Sequence, residues 1–160
     1  MKKRNLGARV ATRSIVFGTL VLLGSWIMPA PALAAVSSHL INAKGVGQDN
    51  GSGSTTGKVI GGGLLDGTIA GNITPTGISG SVATFTEIVT FTNQHGTLTV
   101  RLEGAIDVTT GQFNASGSVI AATGKLSGAT GIVSVSGVAN FAAGIFTEDI
   151  TGVIFADLAP

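Results

Sequence analysis

The chain has 160 residues, with 9 Lys and Arg against 8 Asp and Glu, and no Cys. That length bounds one small domain, and the missing cysteines exclude a disulfide scaffold or a zinc–thiolate site. From Ala35 onward four basic residues face all eight acids, a net charge of −4, which excludes the clustered Lys and Arg of a nucleic-acid footprint.

The other five basic residues, Lys2, Lys3, Arg4, Arg9 and Arg13, precede an uncharged apolar run from Ile15 to Met28. Pro29 and Pro31 then end any helix, and Ala32-Leu33-Ala34 sets small residues at the −3 and −1 positions of a cleavage site. This order of basic, apolar and small-residue segments predicts a signal peptide over 1–34, cleaved after Ala34. The apolar run falls short of the ~20 residues that span a bilayer, so no stable membrane span is expected after cleavage. No Arg-Arg pair is present, which points to the general secretory route. The mature protein is then residues 35–160, secreted to the periplasm or the outside.

The mature part contains no Trp, Tyr, Cys or Met, and its aromatics are Phe85, Phe91, Phe113, Phe141, Phe146 and Phe155. Surfaces that stack sugars or single-stranded bases rely on exposed flat aromatics, most often Trp and Tyr. Neither is available to this protein.

Residues 35–56 read as a Gly/Ser-rich N-terminal segment, with an apolar start at Leu40-Ile41 that adds a possible first strand. The stretch 42–57 in particular reads as a flexible connection. Beyond it, short runs of Val, Ile, Thr, Phe and Leu are punctuated by glycine, and no stretch keeps a 3.6-residue apolar period. Strands are predicted over 58–65, 67–74, 81–92, 97–108, 113–122, 129–141 and 145–155. The clearest is 97–108, where Leu98, Val100, Leu102, Ile106 and Val108 share one face with Gly104. Thr97, Thr99, Arg101, Glu103 and Asp107 share the other, the signature of one dry and one wet face. In 129–141 the same alternation groups Val133, Val135, Ala139 and Phe141. Seven or eight short antiparallel strands predict an all-β domain over 57–160. A small closed barrel, which removes exposed edges, is preferred to a β-sandwich or a short β-solenoid.

Gly124-Lys125-Leu126-Ser127-Gly128-Ala129-Thr130-Gly131 resembles the G-x-F-x-G-A-x-G signature of the allene oxide cyclase and dirigent-protein barrels. Leu126 stands where that signature has Phe. Gly96-Thr97-Leu98-Thr99-Val100, Thr110-Gly111-Gln112-Phe113 and the strand Phe146 to Phe155 resemble the flanking context in bacterial secreted relatives. The likeness covers about 57–156. It implies an eight-stranded antiparallel barrel with a central cavity, assembled as a homodimer or homotrimer, in which Gly124, Gly128, Ala129 and Gly131 form a structural turn. It also implies an isomerase or cyclase acting on an apolar small molecule, although fold alone does not carry function.

Among single residues, Glu87 is the candidate acid–base group. It shares the odd-numbered face of 81–92 with Ala83, Phe85, Val89 and Phe91, and a carboxylate facing a lumen would be desolvated and its pKa raised. The opposing expectation is that Glu87 turns outward at a bulge or pairs with Arg101. Arg101, the one mature Arg, is the candidate ligand-binding residue, a fork that would clamp a carboxylate; the alternative is an exposed ion pair with Glu103. His39 and His95 lack the spacing of a metal or triad site, and Asp49-Asn50-Gly51-Ser52-Gly53 lacks the bidentate Glu of a calcium loop. No metal and no cofactor are expected.

Two functions follow. The preferred one is a secreted barrel acting as a non-catalytic binding or structural module, with an apolar small molecule in the lumen as its partner. The other is an isomerase or cyclase with Glu87 as its acid–base residue.

Overall fold

The computed structural model describes residues 36–158, so the predicted signal peptide and its cleavage site at Ala34 lie outside the described residues. Eight strands follow one another: β1 Ser37–Asp49, β2 Ser54–Ile60, β3 Gly67–Ser79, β4 Val82–Asn93, β5 Gly96–Asp107, β6 Gln112–Ala122, β7 Thr130–Asn140 and β8 Ile145–Ala156. Each pairs antiparallel with the next, and β8 returns to β1, closing the barrel. The sandwich and solenoid alternatives are thereby excluded. Closure leaves no edge strand among the described elements, which suits walls so rich in Val and Thr.

Period-two alternation sets the inside and outside of the wall. On β5, Leu98, Val100 and Leu102 are buried while Arg101 and Glu103 are exposed. Val133 and Val135 on β7 are buried as well, and so are Ile150 and Ile154 on β8. An eight-stranded barrel is just wide enough for side chains to fill it. One end is filled in that way. There the loops 61–66 and 123–129 each carry a short 3-10 turn, Gly63–Leu65 and Gly124–Leu126. These turns insert Leu64, Leu65 and Leu126 into the core beside Phe91, Leu98 and Ile154. Both loops are tied to the β4–β5 hairpin: Asn93 Nδ2 donates to the Leu64 carbonyl, and the Lys125 amide to the His95 carbonyl at 2.7 Å.

The largest departure from the predicted elements is at the start. Residues 42–57 do not form a flexible connection: 42–49 complete a thirteen-residue β1, and 54–57 open β2. The barrel therefore begins at Ser37 and not near 57. Gly45 and Gly47, which read as flexible, are sites of close approach. A Cβ on Gly45 would overlap the Glu148 carboxylate, and one on Gly47 would overlap the Phe146 ring. Glycine is placed there because large partners occupy the space, a relation between strands about a hundred residues apart in the chain.

Smaller corrections have equally local causes. The strand predicted over 58–65 stops at Ile60, where Gly61 turns to φ 77° and the chain enters the 3-10 turn. Val108 leaves the apolar face of β5, because Asp107 starts the next turn. Asp107 Oδ1 accepts from the Thr109 hydroxyl at 2.6 Å and the Thr109 amide at 2.8 Å. These bonds, the hydroxyl's first, hold the Asp107 carboxyl down at about 2. Phe141 falls just past β7 and is 55% exposed.

Candidate functional site

The other end of the barrel is hollow. Beneath the loops 50–53 and 141–144 lies a cavity of about 440 Å³. Its walls include Ile69, Phe85, Phe113, Val135 and Phe146, and Phe141 stands at its mouth. Two carboxyls, Glu87 and Glu148, line the same space.

Glu87 arrives there by strict alternation on β4. The pairing of β4 with β5 runs without a register shift from Val82 to Asn93, so Glu87 opposes Leu102 and faces inward with Phe85 and Val89. The bulge that would have turned it outward occurs instead on β3, between Pro75 and Gly77. Arg101 opposes Ile88 and faces the other way, so the expected Glu87–Arg101 pair does not form. Within the lumen, the Thr55 hydroxyl of β2 donates to Glu87 Oε1 at 3.1 Å. Gly71 on β3 makes room, since a Cβ there would overlap both the Glu87 carboxylate and the Thr55 hydroxyl. Burial pushes the Glu87 pKa up, because apolar surroundings disfavour the charged form, while the Thr55 hydrogen bond opposes that rise.

Glu148 is the residue that sequence reasoning missed. It occupies an inward position of β8, between Phe146 and Ile150, opposite Gly45 on one side and Gly137 on the other. Burial pushes its pKa up to about 7, and the negative charge of Glu87 adds to the rise. Among the described residues no hydrogen-bond donor plays for Glu148 the part that Thr55 plays for Glu87 in setting the pKa. The signal was present: Phe146, Glu148, Ile150, Gly152 and Ile154 alternate as cleanly as the Glu87 face does. Its neighbour Asp149 sits on the wet face and pairs with Lys44.

The remaining candidates lie elsewhere. Arg101 is exposed on the outer wall, 3.8 Å from Glu103, so it takes the ion-pair alternative and does not reach the lumen. His95 sits in the β4–β5 turn, its amide donating to Asn93 Oδ1 at 2.7 Å. His39 belongs to β1 near the filled end, opposite Ile154, with a buried Nε2 that has no hydrogen-bond partner among the described residues. In the 49–53 loop the Asp49 and Asn50 side chains accept from the Gly51 and Ser52 amides, at 2.8 and 3.0 Å. Among the described residues no group of three or more His, Asp or Glu gathers as a metal site, and no helix is long and apolar enough to cross a membrane. The 124–131 segment joins β6 to β7 at the filled end. Gly124, Gly128 and Gly131 all have positive φ there, while Leu126 and Ala129 are buried.

The fold and the site define a small closed β-barrel with one packed end and one apolar, acid-bearing cavity. No protein-family model, no curated protein and no solved structure matches the chain.

Proposed function

We propose that this protein is a secreted binding barrel that takes an apolar small molecule into its lumen. The observation that carries the reading is the cavity itself. A barrel built only as a structural module would be filled along its length, as the end around Leu65 and Leu126 is. Here about 440 Å³ is left empty, a volume in the range of small-molecule sites, which are largely apolar with a few placed polar groups. The resemblance of 124–131 to the allene oxide cyclase and dirigent barrels supports a lumenal ligand as well, and the leader supports export.

A second reading is an isomerase or cyclase of the kind those barrels include. It is favoured by one observation, the Glu148 carboxyl pushed up to about 7. A carboxyl titrating near neutrality can donate or accept a proton in a transition state, with Glu87 beside it as the partner base.

Binding is tested with a neutral, environment-sensitive dye such as Nile red. The protein should raise its emission in a saturable way, and Ala83→Trp, which fills the wall of the cavity, should abolish that rise while leaving the circular dichroism unchanged. A dye response equal in both proteins would place binding outside the lumen and overturn the reading.

A further inference from the structure

We infer, resting on the lumenal binding reading, that the ligand is an apolar amine, its ammonium group held by Glu87 and Glu148 and its hydrocarbon part laid against Phe85, Phe113 and Phe146. Three features carry this. The first is the sign of the lumen. Asp49, Glu87 and Glu148 are the titratable groups in the cavity lining, and no Lys, Arg or His joins them. Lys44, Lys58, Arg101 and Lys125 are all exposed, and two of them are engaged outside by Asp149 and Glu103. Asp49 at the mouth accepts from the Gly51 amide. Among the described residues the two glutamates thus have no internal counter-ion.

The second feature is that room has been made for both carboxyls. Gly71 and Gly45 stand where any larger residue would overlap Glu87 and Glu148 respectively. The elements packed around Glu148 present Gly45 from β1 and Gly137 from β7, and those around Glu87 present Thr55, Gly71 and Leu102. None of these supplies a positive charge.

The third feature is the cost of the alternatives. A buried carboxylate without a partner is unfavourable. A fatty-acid-like ligand would add a further negative charge to the lumen, and a neutral ligand would leave the pair uncompensated. An ammonium offsets one of the two charges and attracts both carboxyls, and phenylalanine faces add favourable contact with a cation. Binding is then linked to protons. The ammonium favours the ionised form of Glu148, so amine binding releases a proton where Glu148 starts protonated, and affinity rises with pH through about 7.

The test compares octylamine, octan-1-ol and octanoate, which share one hydrocarbon chain, by isothermal titration calorimetry on the purified protein. Octylamine should bind about tenfold or more tightly than octanol at about pH 8, as a charge-assisted contact warrants. Octanoate should bind weakest. Octylamine stays protonated below pH 8, so any loss of its affinity towards about pH 5 reports on the carboxylates. The Glu87→Gln/Glu148→Gln double variant should keep octanol binding and lose the preference for the amine. Carbon-13 NMR of Glu148 gives a second readout that needs no variant, since octylamine should lower its pKa. Octanol or octanoate binding as tightly as the amine, or amine affinity that ignores pH, would overturn the inference while leaving lumenal binding intact. Failure of Nile red and of all three ligands together would bring down the binding reading itself.

Discussion

At one end of the barrel Leu65, Leu98, Leu126 and Ile154 are fully shielded from solvent, while at the other Glu87, Phe113 and Glu148 surround a cavity. The eight strands and their alternation run through both ends, so secondary structure does not make the difference. Two other things do. The filled end receives leucines from loops 61–66 and 123–129, whereas no comparable apolar plug enters from loops 50–53 and 80–81. The inward positions also change character along the strands. Towards the filled end they carry the buried Val59, Phe91, Leu98, Val133 and Ile154; towards the hollow end they include Gly45, Gly71, Gly104 and Gly137, interleaved with phenylalanines and the two glutamates. Close packing and buried charge are thus divided along one axis, with the packed half able to support a half that buries two carboxyls.

The division can be broken most severely at the packed end. Leu126→Ala removes a fully buried side chain and should cost about 2–5 kcal/mol in urea unfolding, as large-to-small core changes do. A loss below about 1 kcal/mol would mean the 3-10 turn relaxes into the space, and that the filled end is not the stabilising half.

Next in size is a pH effect from the hollow end. Folding raises the Glu148 pKa from its ordinary 4.5 to about 7, so the native state holds this proton more tightly than the unfolded chain does. The contribution of this group is therefore most favourable below about 4.5, declines as pH rises, and levels off above about 7. The decline is about 3 kcal/mol, and the upward shift of Glu87 acts in the same direction. Glu148→Gln should flatten most of that slope and be more stable than the parent at about pH 8. An unchanged pH profile in the variant would show that Glu148 is not desolvated.

The turn at the filled end gives a finer test. Gly128 has φ +81° with open space where a Cβ would go, so only backbone strain opposes a side chain there. Gly128→Val should cost about 1–3 kcal/mol, and Ser127→Ala, its exposed neighbour, no more than about 0.5 kcal/mol. Equal effects would remove the structural meaning of the 124–131 motif.

Smallest of all should be Arg101→Gln on the outer wall. The pair with Glu103 is exposed and 3.8 Å long, so the change should stay below about 1 kcal/mol, with ligand binding untouched. A marked loss of binding would return Arg101 to the role of ligand clamp and require a site outside the lumen.

Much of this architecture is legible in the chain. Period-two alternation on β4, β5, β7 and β8, with glycine-marked turns and no helical period, dictates antiparallel strands. The same alternation puts Glu87 on the face of Phe85, Val89 and Phe91. Local patterning reports which residues share a face, because side-chain direction in a strand depends only on the parity of position. It does not report what lies across the barrel. That β1 and β2 are strands, despite Gly45, Gly47 and Gly57, was decided by closure against β8 and by the bulk of Glu148 and Phe146. The placing of Glu148 and Glu87 in one cavity, from strands sixty residues apart, was decided in the same way, as was the retreat of Phe141 to the mouth. A cavity is a shortage of volume summed over all eight strands and their loops, and no single stretch of sequence contains that sum.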